Sequence, residues 1–229
     1  MTYIIKKFDT VSSTNDIAKA EAEKGAAEGT VIVADAQEKG RGRLGRSFLS
    51  PNGGLYMSVI LRPESFEDAV SITTKAAVAV SLAIEKLICK SVQIKWVNDV
   101  YLENRKVCRI LTESVFDGAK PKYAVLGIGV NLKTAPDEVS GIAGGIGDVD
   151  RDKLMRAILD EFFGGTWNCH TEYSKRDMLK GKDVTVYRGG NAEFTAKACG
   201  ITRDFGLKLI KPDGTEEILQ SGEVSVKPQ

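Results

Sequence analysis

The sequence holds a single histidine, His170, and its four cysteines, Cys89, Cys108, Cys169 and Cys199, form no close pair. Zinc sites draw on Cys and His in short-spaced pairs, so no structural metal site is expected, and the thiols read as reduced cysteines of a cytoplasmic protein. Neither sign of charge dominates: 32 Lys and Arg stand against 31 Asp and Glu, a net charge of +1. That balance argues against a general nucleic-acid or membrane binder, so any anion site has to be built from local cations. No apolar run reaches bilayer-spanning length, and Lys6 and Lys7 are not followed by the hydrophobic stretch of a secretory signal. Internal repeats and low-complexity segments are also missing. What is present, 229 residues with 42% hydrophobic and 28% charged side chains, suits one catalytic domain or a larger domain with a small companion.

Residues 4–9 read as a first strand, and Ser13-Thr14-Asn15-Asp16 as a helix start with Ser13 and Asp16 at capping-box spacing. The helix runs to about Lys24, is closed by Gly25 and Gly29, and precedes a β-branched strand, Thr30 to Ala34. After a Gly/Arg-rich loop at 37–47, Pro51-Asn52-Gly53-Gly54 forms a turn into a strand from Leu55 to Leu61. Phe66 to about Lys90 has helical spacing with no internal Pro or Gly. Strands are expected at 92–95, 100–102, 106–113 and 123–128, with a hairpin turn at Glu103-Asn104, and a helix at 150–163 opened by an acidic cap. From about Leu179 short strands alternate with Gly turns, at 184–187, 194–201, 207–211, 217–219 and 224–227. This texture predicts a small β-barrel at 179–229 appended to an α+β domain at 1–178.

Gly40-Arg41-Gly42-Arg43-Leu44-Gly45 matches G-x-G-x-x-G in form. A dinucleotide loop must open straight into a helix that holds the pyrophosphate, whereas this one leads through Ser47 to Pro51 into a strand, which excludes NAD. What stays is a glycine-rich loop bearing Arg41, Arg43 and Arg46, read as an anion site in preference to the alternative of a mobile basic loop. Lys95-Trp96-Val97-Asn98-Asp99 is either the aromatic edge of a polar pocket or a core Trp followed by an Asn-Asp turn. Strict alternation from Lys106 puts Lys106, Cys108 and Ile110 on one face and Val107, Arg109 and Leu111 on the other.

Taken together and in order, these segments resemble the biotin protein ligase family. Ser13-Thr14-Asn15, Gln37 with Gly40 to Arg46, Lys95 to Asp99, Arg105-Lys106 and Gly127-Ile128-Gly129-Val130-Asn131 carry the resemblance. Ser221 to Ser225 is similar to the end of that family's small domain. The resemblance implies an α+β, class II synthetase-like catalytic domain with a mixed sheet and an SH3-like C-terminal barrel. It implies the ligase-only form, without the DNA-binding domain that some members carry, and hence no DNA partner. Members are often dimers, and a homodimer is kept among the expectations.

By the same resemblance the chain forms biotinyl-5′-AMP and pyrophosphate from biotin and ATP, then moves biotin to a lysine of a biotin carboxyl carrier domain. Ser13, Thr14, Asn15 and Gln37 match head-group positions, with Gly40, Gly42, Gly127 and Gly129 letting backbone approach biotin. Arg41, Arg43 and Lys106 match the charge that joins the two anionic substrates, with Arg46 in support; Arg43, Lys106 and Asp99 are the catalytic candidates. Phe48 and Asn131 match adenine-side positions, and Asn98 and Asp99 are the candidates to organise Mg²⁺ beside ATP.

Three positions depart from the family: Phe48 where Trp is frequent, Val97 where Pro is usual, and Arg109 where Gly is usual. Arg109 either faces away from Lys106 or crowds the biotin pocket and weakens activity. A lipoate or octanoate ligase and a non-catalytic biotin-binding module stay as alternatives, and a nucleic-acid role has only the basic loop and the barrel behind it.

Overall fold

The computed structural model describes residues 3–42, 48–133, 143–220 and 224–228. Seven strands form a mixed sheet: β1 (Ile4–Val11), β2 (Thr30–Gln37), β3 (Leu55–Leu61), β4 (Gln93–Lys95), β5 (Asp99–Leu102), β6 (Arg105–Asp117) and β7 (Lys120–Val130). Their spatial order is β1-β2-β3-β7-β6-β5-β4. β1 and β2 run parallel, as the intervening helix α1 (Thr14–Glu23) requires, and the other ladders are antiparallel.

The two faces of this sheet are covered differently. Val31, Val33, Leu55, Met57, Val59, Leu126, Ile128 and Val130 bury one face in a cluster shared with helices α2 (Phe66–Ile88) and α3 (Arg151–Gly164). The other face carries Ile32, Ile60, Tyr123 and Val125 under Ala18 and Ala22 of α1, whose small side chains let the helix sit close. Farther along that second face the same alternation sets Tyr56 opposite Gly129 and Ser58 opposite Gly127, where α1 begins rather than covers. That uncovered stretch becomes the cleft.

Helix α2 fits its expected start and carries a full capping box: Ser65 Oγ accepts from Asp68 N at 3.0 Å, and Ser65 N donates to Asp68 Oδ2 at 3.2 Å. It stops at Cys89, which takes a left-handed φ of 54°. At α1 the capping-box expectation fails: Ser13 is the N-cap but makes no side-chain cap hydrogen bond, and Asp16 is drawn instead to Arg41. Glu103 and Asn104 both have positive φ, 51° and 63°, and form the expected hairpin turn between β5 and β6. Helix α4 (Cys169–Arg176), capped by Asn168 Oδ1 accepting from Thr171 N at 2.9 Å, falls in a stretch for which the sequence predicts no element.

The C-terminal strands β8 (Asp183–Arg188), β9 (Asn191–Ile201), β10 (Leu207–Ile210), β11 (Glu216–Leu219) and β12 (Val224–Pro228) form one antiparallel sheet, ordered β11-β10-β9-β8-β12. The expectation of a barrel is corrected here: β11 and β12 stand at opposite edges, and no ladder joins them among the described residues, so the sheet is open. Val184, Val186, Ala198, Leu207 and Leu209 merge with the main core. Trp96 fastens the two sheets, with its indole buried and Nε1 donating to the Phe205 carbonyl at 2.8 Å. Tyr173 of α4 meets the Phe205 ring edge-on with centroids 5.8 Å apart. Among the described residues no helix is long and apolar enough to cross a membrane.

Candidate active site

A cleft opens on the α1 side of the sheet, lined by Ser13, Thr14, Asn15, Gln37, Arg41, Phe48, Arg109, Leu111, Gly127 and Gly129. Its floor is the paired β6 and β7 backbone, where Leu111 lies opposite Gly127 and Arg109 opposite Gly129. Both glycines are demanded by close approach: a Cβ on Gly127 would sit 2.3 Å from Asn15 Oδ1, and one on Gly129 would sit 2.4 Å from the Phe48 ring. With Phe48 over the floor and Arg109 at its side, the cavity measures only about 30 Å³. Ligand pockets begin at roughly 300 Å³, so the cleft as it stands is narrower than a ligand pocket. A wider cavity of about 530 Å³, lined by Gly53, Gly54, Lys133, Gly147, Asp148 and Arg151, contains none of the residues singled out in the sequence. Size alone does not locate the chemistry.

The inner end of the cleft is a connected polar network. Gln37 Oε1 accepts from Thr14 N at 2.9 Å and Thr14 Oγ1 at 3.1 Å, while Gln37 Nε2 donates to Ser50 Oγ at 2.9 Å. Ser50 Oγ in turn donates to the Phe48 carbonyl at 3.0 Å. Buried Ser58 Oγ donates to Asn15 Oδ1 at 2.6 Å and lies 2.8 Å from Thr14 Oγ1. Asn15 Nδ2 donates to Glu113 Oε2 at 2.7 Å, and Lys19 Nζ binds the other Glu113 oxygen at 2.5 Å. Gly40 is also required, since a Cβ there would sit 2.3 Å from the Phe48 carbonyl.

Ser50, Ser58 and Glu113 complete this network, and the sequence did not single them out. The signal was there for Ser58: a lone hydroxyl in the apolar run Leu55 to Leu61 needs a buried partner. Burial pushes the Glu113 carboxyl up, but hydrogen bonds from Lys19 and Asn15 outweigh it and hold the group below its ordinary 4.5. The stabilisation is therefore present above about pH 4.5 and is lost as pH falls through the lowered folded-state value. Urea midpoints of the parent and Glu113→Gln, followed from about pH 6 down to about pH 3, are expected to converge at the acid end.

The outer end is cationic. Lys106 Nζ lies 2.9 Å from Asp99 Oδ2, and Arg109 Nε lies 3.2 Å from Asp99 Oδ1. Strict alternation along β6 is thus overturned: Lys106 and Arg109 reach the same carboxylate. The reason is a β-bulge, for Tyr101 pairs with Lys106 and Val100 with Cys108, leaving Val107 as the extra residue. Arg109 also packs against the glycine-rich loop, where a Cβ on Gly42 would fall 2.2 Å from Nη1. The Cys108 thiol is buried and its pKa is raised well above its ordinary value, first by desolvation, which leaves it no role as a nucleophile beside Lys106.

The remaining sequence candidates scatter. Asn98 is buried, with Nδ2 donating to the Ile110 carbonyl at 2.8 Å, and Asn131 lies just beyond β7 and does not line the cleft. Trp96 is a core residue and not a cleft wall, which corrects the aromatic-edge alternative. Arg43 and Arg46 lie outside the described residues, as do Ser221, Gly222 and Glu223.

A family model described as the biotin/lipoate A/B protein ligase family matches residues 7–131, more than half of the chain. The chain belongs to this family. The bifunctional ligase/repressor BirA of Bacillus spizizenii is 37% identical over 155 residues, covering 65% of this chain and 48% of that protein. The chain therefore spans about half the length of that curated relative. The biotin–[acetyl-CoA-carboxylase] ligase of Mycobacterium tuberculosis is 28% identical over 250 residues, covering 96% of the chain and 88% of that ligase. Among solved structures, the biotin protein ligase of Aquifex aeolicus in complex with biotin and ATP superposes with a TM-score of 0.80 at 27% identity, over 100% of both chains. The match spans both sheets of this biotin/lipoate ligase-family chain, so the C-terminal sheet belongs to the shared architecture.

Proposed function

We propose that the chain is an ATP-dependent biotin protein ligase, with residues 1–178 holding the substrates and residues 179–229 as the small companion domain. The observation that carries it is the polarity of one cleft: a buried network of neutral amides and hydroxyls at the inner end, and at the outer end the cleft-lining guanidinium of Arg109, which shares the Asp99 carboxylate with Lys106. A biotin head group is a neutral ureido ring on an apolar body, and its tail ends in a carboxylate. The two ends of the ligand match the two ends of the cleft.

In the first half-reaction a biotin carboxylate oxygen attacks the α-phosphorus of ATP, and the bond to the pyrophosphate oxygen breaks. Lys106, with Arg41 and Arg43 of the loop, lowers the repulsion between the two anions and stabilises the charge that develops. Asp99 orients Lys106, while Arg46, Phe48 and Asn131 are assigned to the nucleotide by resemblance. In the second half-reaction a carrier lysine amine attacks the acyl carbon, AMP leaves with the C–O bonding pair, and the amine gives up a proton. Proximity supplies much of this rate, because the mixed anhydride is already activated.

Mg²⁺ accompanies ATP as part of the substrate. Asn98 and Asp99 are the residues assigned to organise it; Asn98 Nδ2 donates to the Ile110 carbonyl, and the Asp99 oxygens pair with Lys106 and Arg109. The carrier is a biotin carboxyl carrier domain of a biotin-dependent carboxylase, a homodimer is the proposed assembly, and free thiols suit the cytoplasm.

Biotin-dependent ATP–pyrophosphate exchange by the purified chain tests the proposal, with lipoate run in parallel. Exchange with biotin and not lipoate is expected; exchange with lipoate alone would move the chain to the lipoate branch, and none with either would leave a binding module. Within the network, Glu113→Ala is expected to raise the KM for biotin about tenfold with kcat changed less, because it frees the Asn15 amide without touching the reacting atoms. An equal fall in kcat with KM unchanged would contradict that division.

A further inference from the structure

The bulge at Val107 brings two cations to one carboxylate. The side chains of Lys106, Arg109 and Asp99 are only 16%, 13% and 14% exposed. Among the described residues Asp99 is the only carboxylate within ion-pair distance of either cation. The three groups therefore carry one uncompensated positive charge where water reaches poorly, an arrangement that is costly until an anion joins it. Arg41, the other described guanidinium lining the cleft, is already drawn to Asp16.

Arg109 is the member of the triad that lines the cleft itself. Its Nε is tied back to Asp99, so the side chain is held in one orientation, and among the described residues its Nη donors make no hydrogen bond. Its place along the floor is defined by register. Leu111 and Gly127 flank the head-group network, and Arg109 and Gly129 come two residues farther toward Asp99 and Lys106. A ligand seated by its neutral head over Gly127 runs its tail past Gly129 and ends at Arg109.

We propose that Arg109 is a further catalytic residue of this ligase, whose Nη donors bind the carboxylate of the acyl substrate and keep hold of its oxygens as the acyl-phosphate forms. This rests on the biotin-ligase reading above. In the step itself the carboxylate oxygen forms the new bond to the α-phosphorus while pyrophosphate departs. Arg109 neither gains nor loses a proton. Its work is to offset the charge of the attacking oxygen's partner and to aim it, with Lys106 on the phosphate side and Asp99 fixing both. The guanidinium fork makes this selective for an acid over its neutral analogues.

The test pairs two ligands on the full chain without ATP: biotin, and biotinol, in which a hydroxymethyl group replaces the carboxylate. By calorimetry the parent is expected to prefer biotin, and Arg109→Gly to lose at least about tenfold in biotin affinity with biotinol binding unchanged. Exchange kcat is expected to fall about 100-fold in Arg109→Gly and to recover in part in Arg109→Lys, which keeps the charge but not the fork. Arg109→Gly that binds biotin as tightly as the parent or tighter, in a parent that is active, overturns the inference and makes the side chain a filler of the slot. A parent that binds neither ligand and shows no exchange overturns the ligase reading, and this inference with it.

Discussion

Lys106→Ala is expected to lower biotin-dependent ATP–pyrophosphate exchange by about 100- to 1000-fold, the usual effect of deleting one donor to a developing oxyanion. The side chain starts beside the bulge, and its Nζ lies 2.9 Å from Asp99 Oδ2. Removing it leaves Asp99 paired with Arg109, so no buried carboxylate is orphaned and the fold should stand. The loss is expected in kcat more than in the KM for biotin, because repulsion between the carboxylate and the α-phosphate peaks as they approach. Lys106→Arg, which keeps the charge on a longer planar group, should recover only part of the rate. Exchange in Lys106→Ala within tenfold of the parent would remove this lysine from the chemistry.

Trp96→Ala is expected to cost about 3–5 kcal/mol of stability, read as a fall in the urea midpoint. The indole is 5% exposed, belongs to the main core, and donates to the Phe205 carbonyl in a turn of the C-terminal sheet. Truncation removes the packed rings and leaves that carbonyl without its donor, two penalties at one junction between the sheets. Trp96 does not line the cleft, so exchange per folded molecule should be close to that of the parent. A loss below about 1 kcal/mol would mean that the sheets are held together elsewhere.

The elements were legible wherever local signals agreed with tertiary demands. Helix α2 reads plainly because Ser65 caps it, its interior lacks breakers, and its small and β-branched residues recur at helical spacing. The order of motifs also pointed to eight cleft residues that do line it: Ser13, Thr14, Asn15, Gln37, Arg41, Phe48, Gly127 and Gly129. Other features depend on distant groups. Asp16 sits at capping distance from Ser13 in sequence, but a salt bridge to Arg41 competes for its carboxylate. Glu113 looks like any strand acid until Lys19 and Asn15, 94 and 98 residues away, are folded onto it. A bulge is invisible to period-two counting, which is why Lys106 and Arg109 looked like opposite-face residues. Barrel closure likewise depends on which edges meet, and alternating short strands do not say.

The polar network at the inner end gives the cleft a direction. Each amide has its oxygen committed, Gln37 to Thr14 and Asn15 to Ser58, and each has one N–H committed, to Ser50 and to Glu113. Neither amide can turn over, because a flip would set its NH₂ against a donor and its oxygen against an acceptor. What is left for a guest is the second N–H of each amide, together with the hydroxyls of Ser13 and Thr14, which line the same cleft and can accept as well as give. A ureido carbonyl answers the two N–H groups. A dithiolane head of comparable bulk offers no oxygen to receive them, so it would strand buried donors at about 1–3 kcal/mol apiece. Discrimination between two head groups of similar girth would then rest less on the shape of the slot than on the fixed orientation of its two amides, Asn15 being held from outside by the charge on Glu113.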